Sequence, residues 1–171
     1  MEIIKALEVI DPKSAKKLTI EVLDAFERHQ DGSGQVILQT NQDGVEDWHT
    51  GVGQVEALET KMENDFVFIQ PSLKGTLIEQ YIKKYNGFRT RIMAMSPKSS
   101  YTVHKDYTPR VHIPIVTNPN AWMVWPNHQR CYHLRDGAVY YTDTTKPHTA
   151  LNGSLDEVRI HIVMCIETPL A

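Results

Sequence analysis

The second half of the chain is built from short β-forming segments, and this pattern constrains the fold more than any other feature of the sequence. After Gly87, runs rich in Val, Ile, Tyr and Thr alternate with turn-forming Pro, Gly, Asn, Asp and Ser. The runs cover residues 88–95, 101–116, 121–125, 131–134, 138–142 and 158–166. Several short strands with no helical period between them are typical of a β-sandwich or barrel.

The first half of the chain has a different pattern, which predicts helices and loops. Asp11-Pro12 is a typical helix start, and apolar residues then recur at helical spacing over residues 12–29. A second helix is expected over residues 71–85, which end before Asn86-Gly87. The remaining expectations are extended segments at residues 35–39 and 66–69 and a long loop or mobile flap over residues 40–64.

The organisation expected from these patterns is a single domain over the 171 residues, because the sequence has no repeat, linker or low-complexity segment. Residues 1–87 are expected to form a helical and loop flanking region, and residues 88–168 the β core. The fold class is therefore expected to be mainly β with flanking helices.

Composition excludes several classes of function. Eighteen Lys and Arg residues against 21 Asp and Glu give a net charge of −3, so we expect neither a nucleic-acid partner nor an anionic membrane partner. The apolar run at residues 162–166 is too short to span a membrane, and no signal-peptide pattern follows Met1. Because Cys131 and Cys165 are too few for a disulfide framework, a cytoplasmic location is expected.

Six of the eight histidines lie between residues 104 and 161, and three residues in this part of the chain are candidate metal ligands. In a strand, His104 and Asp106 point to the same face, and His148 is expected on a neighbouring strand. Two histidines and one carboxylate leave positions open on the metal, as Fe(II) oxygenases require. The same ligand types also accept Mn, Co, Ni and Zn, and His-x-Asp by itself is compatible with a surface charge pair.

Two further pairs of polar residues alternate with aliphatic residues. If the strand continues past Pro109, Arg110 and His112 share the face of the candidate ligands, which is either a solvated face or the polar lining of a barrel. Arg159 and His161 share one face of a segment that is otherwise apolar. Because an unpaired buried charge is costly, Arg159 requires an anion, either a protein carboxylate or a bound dicarboxylic acid.

Five segments, taken in order, resemble the aspartyl/asparaginyl β-hydroxylases and the related cis-proline hydroxylases. They are His104-Lys105-Asp106, Arg110-Val111-His112-Ile113-Pro114, Asp136-Gly137 to Tyr141, Pro147-His148, and Asn152 to Arg159-Ile160-His161. The resemblance covers residues 88–166. Proteins of this family are Fe(II)/2-oxoglutarate-dependent oxygenases on a double-stranded β-helix, or jelly roll, so the resemblance implies that fold and that activity.

The resemblance also implies roles for individual residues. His104, Asp106 and His148 would bind Fe(II), and Arg159 would bind the remote carboxylate of 2-oxoglutarate. The other end of this co-substrate would lie near Arg110 and His112. The implied reaction uses O₂, converts 2-oxoglutarate to succinate and CO₂, and hydroxylates an unactivated C–H of an amino acid or a peptidyl side chain. A halogenase is disfavoured, because halide needs the coordination position of Asp106.

Several other residues have weaker assignments. His161 is expected to support the site by a hydrogen bond, whereas Asn152 is either a site residue of the family or simply a turn residue. Arg130 and Arg135 are candidates for contacts with a carboxylate on the substrate. Two further hypotheses concern a second metal site and residues that close over the substrate. They involve His128, Cys131 and His133 for the metal, and Trp48 and His49 for closure.

Two alternative functions remain open at this point. One is a cupin-like module that binds a metal or an anion without redox turnover. The other is a jelly-roll hydrolase or isomerase that uses a different divalent ion. A dicarboxylate partner for Arg159 favours the oxygenase. The sequence does not specify the oligomeric state or the primary substrate.

Overall fold

A computed structural model describes residues 2–53 and 62–167 of the chain. Two α-helices and twelve strands lie in these ranges: β1 Ile4–Val9, α1 Pro12–His29, β2 Gln35–Ile37, β3 Gln39–Thr40, β4 Phe68–Ile69, α2 Leu77–Lys84, β5 Phe88–Met95, β6 Ser99–Ser100, β7 Arg110–Val116, β8 Ala121–Trp125, β9 Arg130–Tyr132, β10 Ala138–Thr142, β11 Thr149–Asn152 and β12 Arg159–Cys165. Short 3-10 helices occur at Glu63–Asp65, Pro71–Leu73 and Pro126–His128. Neither α-helix is both long and apolar enough to cross a membrane.

The strands form two principal antiparallel sheets. The major sheet has the order β1-β10-β7-β12-β5-β2, and the minor sheet has the order β6-β11-β8-β9. From β5 onward the chain passes repeatedly between the two sheets, with single strands in the major sheet and one or two strands in the minor sheet. This alternation is the connectivity of a double-stranded β-helix, so the expected class, mainly β with flanking helices, is confirmed.

The two faces of the major sheet pack against different partners. Its outer face packs against α1 and α2 and is strongly apolar. The side chains in this helix-side core include Leu18, Val22, Ile78, Ile82, Ile92, Val111, Ile113, Ile162 and Met164. A smaller core joins the two sheets and contains Met95, Met123, Trp125, Leu134 and Ala150. Along the strands of the major sheet, polar side chains alternate with these apolar ones and therefore point to the opposite face. They line the interior of the jelly roll rather than a solvated surface.

The polar interior is visible in the register of three neighbouring strands. Val163 of β12 lies opposite His112 of β7 on one side and opposite Arg91 of β5 on the other. Side chains that lie directly opposite each other point to the same face of a sheet. The predicted alternation within residues 110–116 and 159–162 is therefore confirmed, and it extends to Arg91.

The first helix matches the prediction, but the second is shorter than expected. The Asp11 carboxylate accepts a hydrogen bond from the backbone N–H of Ser14 at 3.0 Å, so Asp11 is the N-cap of α1. The predicted helix over residues 71–85 is interrupted by Gly75, which has a φ of +81°. Thr76 then caps α2 by accepting a hydrogen bond from the N–H of Glu79.

The predicted strand over residues 101–116 is wrong in its first part. β7 begins at Arg110, and before it only an isolated bridge between His104 and His148 forms. The chain crosses from the minor sheet to the major sheet between β6 and β7. Pro109, just before β7, has no N–H to donate to a neighbouring strand. β1, which lies at the edge of the major sheet, is an additional strand that the sequence pattern did not predict.

Candidate metal centre

Three side chains converge where the chain leaves β6 and approaches β11. The Asp106 carboxylate lies 3.7 Å from His104 Nε2 through one oxygen and 3.7 Å from His148 Nε2 through the other. One ligand atom from each residue lies within 4.8 Å of those of the other two, which is the spacing of ligands around a single ion. Among the described residues, this is the one group of three or more His, Cys, Asp or Glu side chains with such a spacing.

Backbone hydrogen bonds position each of the three candidate ligands. The bridge joins His104 N to His148 O at 3.0 Å and His148 N to His104 O at 2.9 Å. Asp106 N donates to Thr144 O at 2.9 Å. The predicted convergence therefore arises from pairing between two distant segments and not from one continuous strand.

The imidazole rings are oriented for metal binding. His104 Nδ1 lies 2.8 Å from Thr102 O, and His148 Nδ1 lies 3.0 Å from Lys146 O. Because a carbonyl oxygen only accepts, each Nδ1 carries the hydrogen, which leaves the Nε2 lone pair available for a cation. Burial lowers the pKa of His148, against the opposing effect of Asp106, which favours the neutral ring, the form that is able to bind a cation.

Arg110 connects this cluster to a buried carboxylate that the sequence analysis did not identify. Its Nη2 lies 2.6 Å from Glu63 Oε1 and 3.4 Å from Asp106 Oδ1. Glu63 also accepts from Arg89 Nη1 at 2.9 Å and from Thr108 Oγ1 at 2.9 Å. Arg110 is therefore next to the candidate ligands, as predicted, but its charge is largely compensated by protein groups.

A second group of interior side chains leads from the cluster to Arg159. His161 Nδ1 lies 3.3 Å from His112 Nδ1 and accepts a hydrogen bond from Arg159 Nη2 at 2.9 Å. All three side chains are buried. Burial, together with the charge of Arg159, lowers the pKa of both histidines well below the usual value. His161 therefore accepts a hydrogen bond from Arg159 rather than contacting a candidate metal ligand.

Arg159 is buried without a carboxylate partner among the described residues. Burial lowers its pKa to about 10, so it keeps its positive charge at neutral pH. A narrow cleft adjoins Arg159, His161 and Thr117. Among the described residues, the buried His161 Nε2 and Thr117 Oγ1 atoms have no hydrogen-bond partner. Three polar groups therefore border one cleft, and no described carboxylate pairs with Arg159 there.

Comparison with known proteins agrees with this geometry. The family model described as aspartyl/asparaginyl beta-hydroxylase matches residues 71–169, which include every candidate ligand and Arg159. This chain belongs to that family. No curated protein sequence matches the chain.

Solved structures support the fold of this hydroxylase-family protein. One that matches is NgTET1 in complex with 5mC DNA, with 10% sequence identity and a TM-score of 0.56. The similarity covers 97% of this chain and 72% of the NgTET1 chain. At this level of identity the comparison shows a shared fold, and the 5mC DNA is a feature of that complex.

The interior contains two more arginines that the sequence analysis missed. Arg89 has a φ of +44° and donates to Gly51 O and Gly53 O in addition to Glu63. Arg91 has Gln35 Oε1 as its hydrogen-bond partner at 3.1 Å. An Arg-x-Arg pair in a β-forming segment is the same signal that identified Arg159 and His161, so the pattern was present in the sequence.

The weaker assignments have different outcomes. Asn152 is fully buried and donates to Met95 O and Glu157 O, so its side chain ties β11 to the segment before β12. Arg130 and Arg135 are exposed, with Arg130 on β9 at the edge of the minor sheet. Their contact with substrate stays a prediction.

The hypotheses of a second metal site and of closure by Trp48 and His49 have no support in the geometry. His128, Cys131 and His133 do not form a ligand cluster in the part of the chain that the structure describes. Trp48 is buried in the helix-side core and stacks on His29 with ring centroids 3.8 Å apart, so it does not face the candidate ligands. Of the predicted loop over residues 40–64, residues 54–61 lie outside the described ranges.

Proposed function

We propose that this protein is a non-haem Fe(II)/2-oxoglutarate-dependent dioxygenase that hydroxylates an unactivated C–H of an amino acid or peptidyl side chain. The observation that carries the proposal is the convergence of two imidazoles with available Nε2 atoms on one carboxylate. Iron at such a centre, together with 2-oxoglutarate and O₂, supplies the oxidation of a C–H bond and the formation of succinate and CO₂. Membership of the hydroxylase family supports the same conclusion.

The chain's own residues fit the metal. His104, Asp106 and His148 would bind it through two nitrogens and one oxygen, and three protein ligands leave positions open for small molecules. Arg110 Nη2 lies 3.4 Å from Asp106 Oδ1 and helps to hold this carboxylate in position. The carbonyls of Thr102 and Lys146 fix the ring orientations before the metal binds.

The residues around Arg159 fit the remote carboxylate of 2-oxoglutarate. The guanidinium supplies charge and a planar pair of donors, while Thr117 Oγ1 and His161 Nε2 supply two donors that have no partner among the described residues. Because His161 accepts from Arg159 through Nδ1, its Nε2 carries the hydrogen and is directed toward the ligand as a donor. His112 adjoins this pocket, since its Nδ1 lies 3.3 Å from His161 Nδ1.

The proposal is tested by anaerobic titration of the purified protein with Fe(II) and 2-oxoglutarate. We expect a visible metal-to-ligand charge-transfer band that saturates at one equivalent of each. Asp106→Ala should abolish the band and succinate formation. Arg159→Met should weaken 2-oxoglutarate binding by about 100-fold or more, as expected for loss of a buried charge-assisted pair, while metal binding is retained.

The exposed Arg130→Met variant is the matched control and should titrate as the wild type does. If the wild type gives no band at saturating concentrations, the oxygenase proposal is wrong. If Arg159→Met loses iron rather than 2-oxoglutarate, the role of Arg159 is wrong while the metal centre stands.

A further inference from the structure

Glu63 is a buried carboxylate whose two oxygens contact several partners at once. Its Oε1 atom lies 2.9 Å from Arg89 Nη1 and 2.6 Å from Arg110 Nη2. Its Oε2 atom accepts a hydrogen bond from Thr108 Oγ1 at 2.9 Å. The side chain is 8% exposed, so these pairs lie in the interior, where salt screens them little. One glutamate therefore pairs with two buried arginines.

One of these arginines also contacts a candidate metal ligand. Arg110 Nη2, which lies 2.6 Å from Glu63 Oε1, lies 3.4 Å from Asp106 Oδ1. The same nitrogen is thus between two carboxylates, and the glutamate is the nearer of the two. Arg110 Nη1 also donates to the carbonyl oxygen of Thr108 at 2.7 Å. These contacts hold the guanidinium against Glu63 and leave Asp106 with the longer ion pair.

Asp106 has a second set of neighbours, because its oxygens face the candidate ligand nitrogens. Each oxygen lies 3.7 Å from the Nε2 atom of a different histidine, either His104 or His148. A divalent cation bound by these three residues would be close to Arg110, whose guanidinium is always protonated. Two positive charges that are close together in a protein interior repel each other strongly. The affinity of the site for a cation therefore depends on the group that compensates Arg110.

Removal of the Glu63 charge would have two effects on the site, and both would weaken cation binding. The charges of Arg89 and Arg110 would lose the carboxylate that they share, so they would repel the cation more strongly. Arg110 would also keep its contact with Asp106 and would compete with the cation for this carboxylate. Removal of the Arg89 charge would have the opposite effect, since Glu63 would then compensate Arg110 more completely.

We propose that Glu63 is a positioning residue of the metal centre, which compensates Arg110 and so keeps Asp106 available to a divalent cation. The inference rests on the proposed oxygenase function, because it concerns the ion on which that function depends. It gives the 3-10 helix at Glu63–Asp65 a part in metal binding, although Glu63 is not one of the three clustered ligands. This role differs from a purely structural one, because its effect depends on the sign of the charge that is removed.

The test is the affinity of the full-length, metal-free protein for Co(II) in the absence of 2-oxoglutarate, measured by titration calorimetry. We expect Glu63→Gln to weaken Co(II) binding by at least about tenfold, because the charges of two nearby arginines are no longer compensated. Arg89→Gln should instead strengthen Co(II) binding by at least about threefold, because it removes one repelling charge. The two variants break the same buried ion pair, so a purely structural role predicts weaker binding in both.

The matched control is Asp24→Asn, which removes one exposed negative charge on α1 and should leave the affinity for Co(II) unchanged. Trimethylamine N-oxide is added equally to all titrations to keep destabilised variants folded, and circular dichroism verifies the fold of each variant. The sign of the Arg89→Gln effect decides the inference even where Glu63→Gln does not fold.

The inference is overturned if folded Glu63→Gln binds Co(II) as the wild type does, or if Arg89→Gln does not bind Co(II) more tightly than the wild type. In either case an intact Fe(II)/2-oxoglutarate absorption band in the wild type leaves the oxygenase proposal standing. A wild-type protein that binds no Co(II) would instead contradict the metal centre, and with it both proposals.

Discussion

At the scale of single residues, the interior histidines are held neutral by their surroundings. His112 and His161 are buried against Arg159, and burial together with that positive charge lowers the pKa of both rings. A protonated His161 would place two cations 2.9 Å apart in the interior. The hydrogen bond from Arg159 to His161 therefore depends on a neutral imidazole that accepts through Nδ1.

This arrangement predicts that the protein without metal loses stability as the pH falls below about 6.5, the ordinary pKa of histidine. In that range the unfolded chain binds protons that the folded interior does not, so the free energy of unfolding decreases, with a slope that approaches about 1.4 kcal/mol per pH unit for each histidine at low pH. Urea denaturation between pH 7.5 and 5.5 should show this decrease, which amounts to about 1.4 kcal/mol in total for each histidine over these two pH units. His161→Gln should reduce the total decrease by about that amount, and the exposed His128→Gln should not. Equal slopes in the wild type and His161→Gln would contradict the neutral state.

At the scale of elements, the 3-10 helix at Glu63–Asp65 is fastened to two strands of the major sheet. Its Glu63 side chain pairs with Arg89 of β5 and Arg110 of β7, and all three side chains are buried. The carbonyls of Gly51 and Gly53 complete the hydrogen bonds of Arg89. Gly51 and Gly53 precede residues 54–61 and Glu63 follows them, so segments from both sides of this range contact the buried Arg89.

We predict that Glu63→Gln lowers the free energy of unfolding by about 3 kcal/mol or more. The change removes the carboxylate that pairs with the buried Arg89 and leaves Arg110 with only the more distant Asp106, and the loss of one partner of a buried ion pair is strongly destabilising. Asp24→Asn, which removes the exposed pair with Arg28, is the matched control and should change the free energy by no more than about 0.5 kcal/mol. Urea denaturation measures both. A similar small effect for the two variants would show that the Glu63 pairs do not stabilise the fold.

At the scale of the whole molecule, the major sheet takes part in both cores. Its outer face packs against α1 and α2, and its inner face packs against the minor sheet. Because both cores include side chains of the major sheet, disrupting this sheet in one core would expose the apolar side chains of the other core. The single-domain organisation inferred from the sequence, which stays a prediction, has this shared sheet as its physical basis.

We therefore predict one cooperative unfolding transition for the entire chain. Trp48 lies in the helix-side core and Trp125 in the inter-sheet core, so each tryptophan reports on a different side of the sheet. The fluorescence transitions of Trp48→Phe and Trp125→Phe should each coincide with the far-UV circular dichroism of the same variant. A fluorescence transition that precedes the loss of secondary structure in either variant would indicate two separable units.

The local patterns of the sequence predicted several elements and the parity of the interior residues. α1, β5, β8 and β10 have the predicted bounds, because caps, turns and side-chain alternation are set by neighbours in the chain. Alternation also placed Arg110 with His112, and Arg159 with His161, on shared faces, and the structure shows that these faces are buried. By contrast, a positive φ at Gly75 and the crossing between sheets near Pro109 depend on the path of the backbone in three dimensions.

The sequence by itself thus determined the β-rich class, the resemblance to the hydroxylase family and the types of residue that could bind metal and anions. Only the tertiary structure brought His104 and Asp106 to His148 and paired Glu63 with Arg110. It also left Arg159 without a carboxylate partner among the described residues. The physical reason is that short-range order follows from adjacent residues, whereas the compensation of a buried charge depends on which distant groups share the same interior. That compensation decides which arginines serve the fold and which are available to a ligand.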